Sequence, residues 1–468
     1  MVVAETADVT DRKVIASSDS AVRIAEASGH IDTFPAWRSA LFVFIIGLTT
    51  SFAVYSRSLN WPMTFDDVHL LRPMSMEEVV RSFTSTWDAA MTRGYRPLSV
   101  VFNCVRYQAF GDNVAAHRIF LIVLMSLYWA GLTMTLKSRL IVIVTALMIF
   151  IGGTYSVFHV VWITDGNHLL QGLFFIAALW CVLRGTHATT RGGARLWLPA
   201  ALACSWLALL VREDSLAAFP ALVLIPLARG GRRRRVVAFT AALGSLALVF
   251  LLLRHVIEPR ADQPGLDFAG YLESIARALM TPPGLSAFDG LSRAILWIWG
   301  GWSIVSIIVV CAKRRREPLA WLACAVLASS SGLNVSREDL LFFPATFAAL
   351  YYANVAVDSF KPFGVIACIA ISLLNGIHTG RAYAENFHPL SLRSIWWNGR
   401  YVYGAYARRA HVPEKRRARL IAQLAEAGVN DEESHIRRNR KMAKWAIRDG
   451  RRRPGQGFFY PAMPWMED

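Results

Sequence analysis

Apolar residues in this chain come in long blocks, and those blocks limit what it can fold into. A helix that crosses a bilayer needs about 20 mostly apolar residues, and the sequence offers roughly eleven such blocks. Their approximate centres are Phe44, Val123, Thr145, Ile176, Ala203, Leu222, Leu248, Val305, Val326, Thr346 and Ala370. Composition agrees, since 54% of the 468 residues are apolar and the mean hydropathy is +0.37. A soluble chain of this size needs more polar cover. The expected fold is all-α: a polytopic membrane protein with about 11 transmembrane helices.

Polar stretches flank the blocks. Residues 1–36 carry six acidic and three basic side chains and read as a disordered cytosolic leader. Residues 37–380 form the expected transmembrane domain, with a first long loop at 57–115, and 381–468 a basic tail. Of the six cysteines (Cys104, Cys181, Cys204, Cys311, Cys324, Cys368), five lie inside apolar blocks, with no CxxC spacing. They read as small buried hydrophobes rather than a disulfide frame or zinc site.

The net charge of +17 raises the question of nucleic acid. The basic residues instead fall in alternate loops. With the N-terminus inside, the even-numbered connections hold Lys137 and Arg139; Arg184, Arg191 and Arg195; Arg229 and Arg232 to Arg235; Lys313 to Arg316; and Lys361. The short odd connections hold almost none. The positive-inside rule then assigns the loop at 57–115, the loop at 254–290 and the tail to the outside. This implies a multi-pass protein of the plasma (inner) membrane, with a cytoplasmic N-terminus and a periplasmic or extracellular C-terminus, and it disfavours a nucleic-acid partner.

With that orientation, Asp66, Asp67, Arg96, His117, Arg118, Asp165, His168, Arg212, Glu213, Asp214, Arg337, Glu338 and Asp339 all gather at the outer face. Charges near a bilayer are costly unless paired or lining a wet cavity. Within the first loop, Ser75-Met76-Glu77-Glu78 is a capping box that predicts a helix from Ser75 to about Trp87. Pro97 suits a first helical turn. Leu98, Val101, Phe102, Val105 and Ala109 then recur at helical spacing, so 97–110 is expected to lie along the membrane surface.

Three features together resemble the GT-C superfamily of integral-membrane glycosyltransferases, which includes protein O-mannosyltransferases and the aminoarabinose transferases of lipid A. They are Phe65-Asp66-Asp67 with His69, Tyr95-Arg96-Pro97-Leu98 about 30 residues on, and His117-Arg118 before the second helix. Arg212-Glu213-Asp214 and Arg337 with Pro344 match more weakly, and the resemblance covers roughly residues 40–380. It implies a polyprenyl-phosphate-linked sugar donor, a glycan or glycolipid acceptor and membrane lipids as partners. One of Asp66 and Asp67 would be the general base that activates the acceptor hydroxyl, with Asp66 favoured by its place in the motif. Arg337, Arg96 or Arg212 would hold the leaving phosphate. His69, His117, Arg118, Asp165, His168, Glu213 and Asp214 would line the substrate cavity. The acids can also hold a divalent cation (Mg or Mn), although no ligand spacing demands one.

Each motif has a plainer reading. Asp66-Asp67 can cap a helix, Arg96 can anchor to headgroups, Arg212-Glu213-Asp214 can be a local ion cluster, and Asp165-Gly166-Asn167-His168 a short turn. Asn334-Val335-Ser336 matches a glycosylation sequon. In the tail, Pro413 to about Ala427 reads as a helix ended by Gly428, and Asn430 with Glu433 caps a second. The rival functions are a transporter or flippase of lipid-linked saccharides and a non-catalytic scaffold of the same fold.

Overall fold

The computed structural model describes residues 35–63, 66–85, 95–153, 156–257, 268–280, 290–330, 341–380, 388, 390, 392–404, 406–407 and 411–437. Helix is the only regular secondary structure among them. Arg337, Glu338, Asp339, the sequon and the leader lie outside the described residues. Among the described residues, seven helical stretches are long and apolar enough to cross a membrane: Ala36–Ser58, Val114–Leu136, Thr164–His187, Gly192–Val211, Arg233–Ile257, Ala294–Lys313 and Phe342–His378.

The count is thus seven rather than the expected eleven. The blocks centred on Thr145, Leu222 and Val326 fold as helices of 12, 14 and 13 residues. At 1.5 Å per residue these rise only about 20 Å, short of a hydrocarbon core of about 30 Å. Thr346 and Ala370 share one 37-residue stretch. It is interrupted by a wide turn at Ala356–Phe360 and by Lys361, whose φ is +52°.

In chain order the helices are α1 (Ala36–Tyr55), α2 (Asp67–Leu70), α3 (Met76–Arg81), α4 (Pro97–Phe110), α5 (Val114–Leu136), α6 (Leu140–Ile151), α7 (Ser156–Val161), α8 (Asn167–His187), α9 (Arg191–Val211), α10 (Ser215–Ala228), α11 (Arg233–Ile257), α12 (Phe268–Leu279), α13 (Gly290–Lys313), α14 (Arg316–Ala328), α15 (Phe342–Val355), α16 (Lys361–Asn375), α17 (Leu392–Val402) and α18 (Glu414–Glu426). Every residue of α15 is buried, and α6, α10 and α14 pack around it. The spans α1, α5, α8, α9, α11 and α13 leave large apolar side chains such as Leu41, Val237 and Trp297 exposed, as a lipid-facing surface does.

Polar contacts mark two ends of the bundle. At one, Arg229 donates to the Leu136 carbonyl, to Ser138 (3.1 Å) and to Glu317, Arg235 donates to the Gly185 carbonyl (3.1 Å), and Arg139 pairs with Asp358. These loops are the basic set read from the sequence. Among the described residues, the charged side chains of 66–118, 159–168 and 212–214 form a second, separate set of contacts.

The predicted capping box is present: Ser75 Oγ accepts the Glu78 N–H at 3.1 Å, and Glu78 Oε2 accepts the Ser75 N–H at 2.9 Å. The helix stops at Arg81, well before Trp87. There Ser82, Thr84 and Ser85 hydroxyls donate to the carbonyls of Val79 and Arg81 and compete with further helical bonds. In the tail, Gly428 at φ +76° ends the turn after α18 as expected. The next helical turn, 432–437, is capped by Asp431, whose carboxylate accepts the Ser434 N–H at 2.6 Å, and not by the Asn430–Glu433 pair.

Candidate functional site at the acidic end

Helix α4 begins at Pro97 as predicted, but it turns its polar stripe inward. Ser99, Asn103 and Arg106 are buried while Val105 is 56% exposed. The Ser99 hydroxyl donates to the Val211 carbonyl at 2.7 Å, which ties α4 to the end of α9. Arg106 donates to the Ile163 carbonyl at 3.0 Å. Burial lowers the Arg106 guanidinium to about 9, so it stays charged at neutral pH.

Asp67 is fully buried and its two oxygens are matched to backbone donors. Oδ2 accepts the Ile163 N–H at 3.1 Å and Oδ1 accepts the Thr164 N–H at 2.7 Å. Burial pushes its carboxyl up to about 6, against the opposing pull of those N–H groups and of Arg118. Arg118, also fully buried, donates to the carbonyls of Val161 (3.2 Å), Leu59 (3.4 Å) and Trp61. Asp67, Arg106 and Arg118 together clamp the turn between α7 and α8.

That clamp fixes Asp165, and around Asp165 the described charges converge. His159 Nδ1 lies 3.0 Å from Asp165 Oδ2, His168 Nε2 lies 3.4 Å from Oδ1, and Arg212 also reaches Oδ1 at 3.4 Å. On the far side, His168 Nδ1 lies 3.0 Å from Gln171 Oε1 and 3.4 Å from Asp214 Oδ2. Phe342 of α15 packs on both imidazoles, edge-on to His159 at 5.0 Å and stacked on His168 at 5.8 Å.

Arg96 grips Glu213 with two bonds of 2.8 Å, and Arg254 adds a third contact at 3.3 Å. Burial alone would raise the Glu213 carboxyl, but the Arg96 and Arg254 guanidiniums hold it well below the usual range. Two of the three arginines expected to hold phosphate, Arg96 and Arg212, are thus ion-paired with acids, and Arg337 lies outside the described residues. His117 is buried, with Nε2 3.0 Å from the Gly111 carbonyl and its ring edge-on to Phe110.

Asp66 lies on the other side of α2 from this core. It is half-buried, and its Oδ1 accepts the hydroxyl of Tyr401 in α17 at 3.0 Å. The Tyr401 ring stacks on His69, with centroids 6.0 Å apart. Burial, with Arg72 and His411 nearby, lowers the His69 imidazole to about 4, so it is neutral at physiological pH. In α18, Arg416 donates to the carbonyls of Val68 (2.8 Å) and Leu71 (2.6 Å) and pairs with Asp112. Beside α2 opens a groove of about 190 Å³, lined among others by His69, Arg72, Glu78, Arg81 and His411. Arg72 pairs with Glu78 at 2.8 Å across it.

The structure therefore brings Asp67, Arg118, Asp165, His168, Arg212 and Asp214 into one connected core and sets Arg96 with Glu213 beside it. His69 lines the groove beside α2, and Asp66 meets Tyr401 of the tail instead. Sequence reasoning missed His159, Gln171, Arg106, Arg72, Tyr401 and Arg416. The first three carry a signal, as polar residues at helical spacing or six residues before Asp165 in otherwise apolar runs. Comparison of the chain with protein-family models, with curated proteins and with solved structures returns no match.

Proposed function

We propose that this protein is a GT-C-type glycosyltransferase that moves a sugar from a polyprenyl-phosphate donor to a cell-envelope glycan or glycolipid acceptor, with inversion. The observation that carries the reading is the division of labour within the acid pair. Asp67 is sealed against backbone N–H groups, whereas Asp66 is half-buried and bonded to Tyr401, whose ring stacks on His69, a lining residue of the groove that bears Arg72 and Arg81. Asp66 takes the proton of the acceptor hydroxyl as its oxygen attacks the anomeric carbon. The bond from that carbon to the phosphate oxygen breaks, and the electron pair leaves with polyprenyl phosphate. The groove arginines stabilise the charge that develops there. The donor's lipid chain occupies the bilayer alongside the exposed apolar flanks of the bundle.

The test uses the full chain in lipid nanodiscs with a panel of radiolabelled polyprenyl-phosphate sugars and an envelope-glycan extract as acceptor. Wild type transfers label, and Asp66→Asn lowers turnover by about 10²–10⁴-fold while unfolding at the wild-type temperature. Equal transfer by Asp66→Asn would remove the proposed base.

One feature favours the transport reading enough to keep it as the rival: the apolar stretch at 140–161 is split into two short helices, with a turn at Gly152–Gly153, next to a buried polar core. In sealed vesicles a transporter moves a fluorescent lipid-linked saccharide to the other leaflet without transferring its sugar.

A further inference from the structure

We propose that His159, Asp165 and His168 form a binding site for one divalent metal ion of the zinc type, independent of which reaction the protein catalyses. One ligand atom from each residue lies within 4.8 Å of the other two, and all three residues are buried. Ligands about 2.1 Å from a tetrahedral ion stand about 3.4 Å apart. The separations of 3.0 Å (His159 Nδ1 to Asp165 Oδ2) and 3.4 Å (His168 Nε2 to Asp165 Oδ1) are already close to that.

The hydrogen-bond network around His168 shows why a cation belongs there. Gln171 donates its amide N–H groups to Asp214 at 2.7 Å and to Ser215 at 2.6 Å, so its Oε1 faces His168. The His168 Nδ1 therefore carries the hydrogen and donates to Gln171 Oε1 at 3.0 Å. In the neutral ring this leaves the Nε2 lone pair directed at a carboxylate oxygen 3.4 Å away, and Nε2 has no hydrogen-bond partner. Two facing lone pairs in a buried site repel unless a cation lies between them. His159 Nε2 is likewise buried without a hydrogen-bond partner.

The surroundings have the form that metal sites require. Gln171 and Asp214 form the outer partner of a carboxylate–histidine–metal relay that fixes the tautomer and raises ligand basicity. Phe342 restrains both rings, and the clamp by Asp67, Arg106 and Arg118 preorganises the turn that carries Asp165. Arg212 on Asp165 Oδ1 offsets the second acid, Asp214, at 3.5 Å. Two imidazoles and one carboxylate suit zinc better than magnesium or manganese, and three protein ligands leave a fourth position open.

The full chain in nanodiscs, stripped with chelator, is reloaded with Zn²⁺ or Co²⁺ and freed of excess metal. The expected result is about one zinc per chain by elemental analysis and the visible absorption of four-coordinate Co²⁺. His159→Gln and His168→Gln abolish both signals. Asp214→Asn keeps the stoichiometry but weakens affinity by about 10–100-fold. A folded wild type that takes up far less than one zinc and gives no such Co²⁺ spectrum overturns the proposal, because the three residues then share a proton instead. Unchanged loading of the double His→Gln variant also overturns it. A variant that does not fold leaves the wild-type Co²⁺ spectrum to decide.

Discussion

Tyr401 donates its hydroxyl hydrogen to Asp66 Oδ1 at 3.0 Å, bridging 335 residues of sequence. The tail is therefore part of the acid-bearing loop and not an appendage. Its anchor is Arg416, which supplies the only donors we find on the Val68 and Leu71 carbonyls among the described side chains. Arg416→Ala removes these bonds and leaves the Asp112 carboxylate unpaired in a half-buried place. The expected cost is about 3 kcal/mol. Trypsin should then cut the tail faster at Arg417 and Arg419. Arg416→Lys keeps the charge but loses the fork, and falls in between. Gel-based proteolysis time courses check the order.

Asp67 and Glu213 should impose opposite pH dependences. Burial raises the Asp67 carboxyl from 3.8 in the reference state to about 6 in the fold. The native state then holds its proton more tightly than the unfolded chain. That contribution is complete below about pH 4 and is lost as pH rises through 6, a change on the order of 3 kcal/mol. Asp67→Asn does not titrate, so wild type should lose stability relative to this variant between pH 4 and 7. Glu213 is depressed by Arg96 and Arg254, so its contribution is present above the ordinary carboxylate range and is lost on acidification. Thermal unfolding in detergent across pH 4–8, read as the difference between wild type and Asp67→Asn or Glu213→Gln, tests both signs.

Hydropathy made the long helices legible because a span must satisfy its backbone internally and show lipid an apolar surface. Local chemistry likewise made the Ser75 box, Pro97 and Gly428 legible, since each acts within four residues. What remained hidden depends on side-chain direction across the fold. Asp66 and Asp67 are neighbours in sequence, yet one faces the Ile163–Thr164 backbone and the other meets Tyr401. The apolar spacing of α4 suggested a helix on the membrane surface but not what its other face meets: the core there is polar, so Ser99, Asn103 and Arg106 turn inward. His159 sits in an apolar run and has no partner within helical reach. Its role emerges only when the chain turns at 162–166.

Arg96 and Glu213 should behave as a coupled pair. Removing either member takes away the two 2.8 Å bonds that the other makes, in a site where the side chains are 21% and 20% exposed. Arg96→Gln and Glu213→Gln are each expected to cost about 2–4 kcal/mol. The double variant should cost less than their sum by about 1–3 kcal/mol. Chemical unfolding of all four proteins in the same detergent closes the cycle. Strict additivity would mean that Arg254 alone balances Glu213.

The break between α6 and α7 is held by a close backbone contact, and one methyl group tests it. A Cβ at Gly152 would overlap the Ser372 carbonyl oxygen, a backbone atom of α16 that cannot rotate away. The Gly152 carbonyl in turn accepts the Asn375 amide N–H at 2.6 Å, and a Cβ at Gly376 would meet the Gly152 Cα at 3.0 Å. Small residues here let two helices approach closely inside an apolar bundle. The backbone of Gly152 has φ −72°, open to any residue, so the cost of Gly152→Ala is steric alone. Separating α6 from α16 should cost about 3 kcal/mol or more and strip the Asn375 bond. Gly244, inside α11 with nothing within 4 Å of its added Cβ, is the control. Gly244→Ala should be neutral or stabilise by about 0.5–1 kcal/mol, because alanine favours a helix. If Gly152→Ala melted with wild type, α6 and α16 would have to be farther apart than these contacts place them.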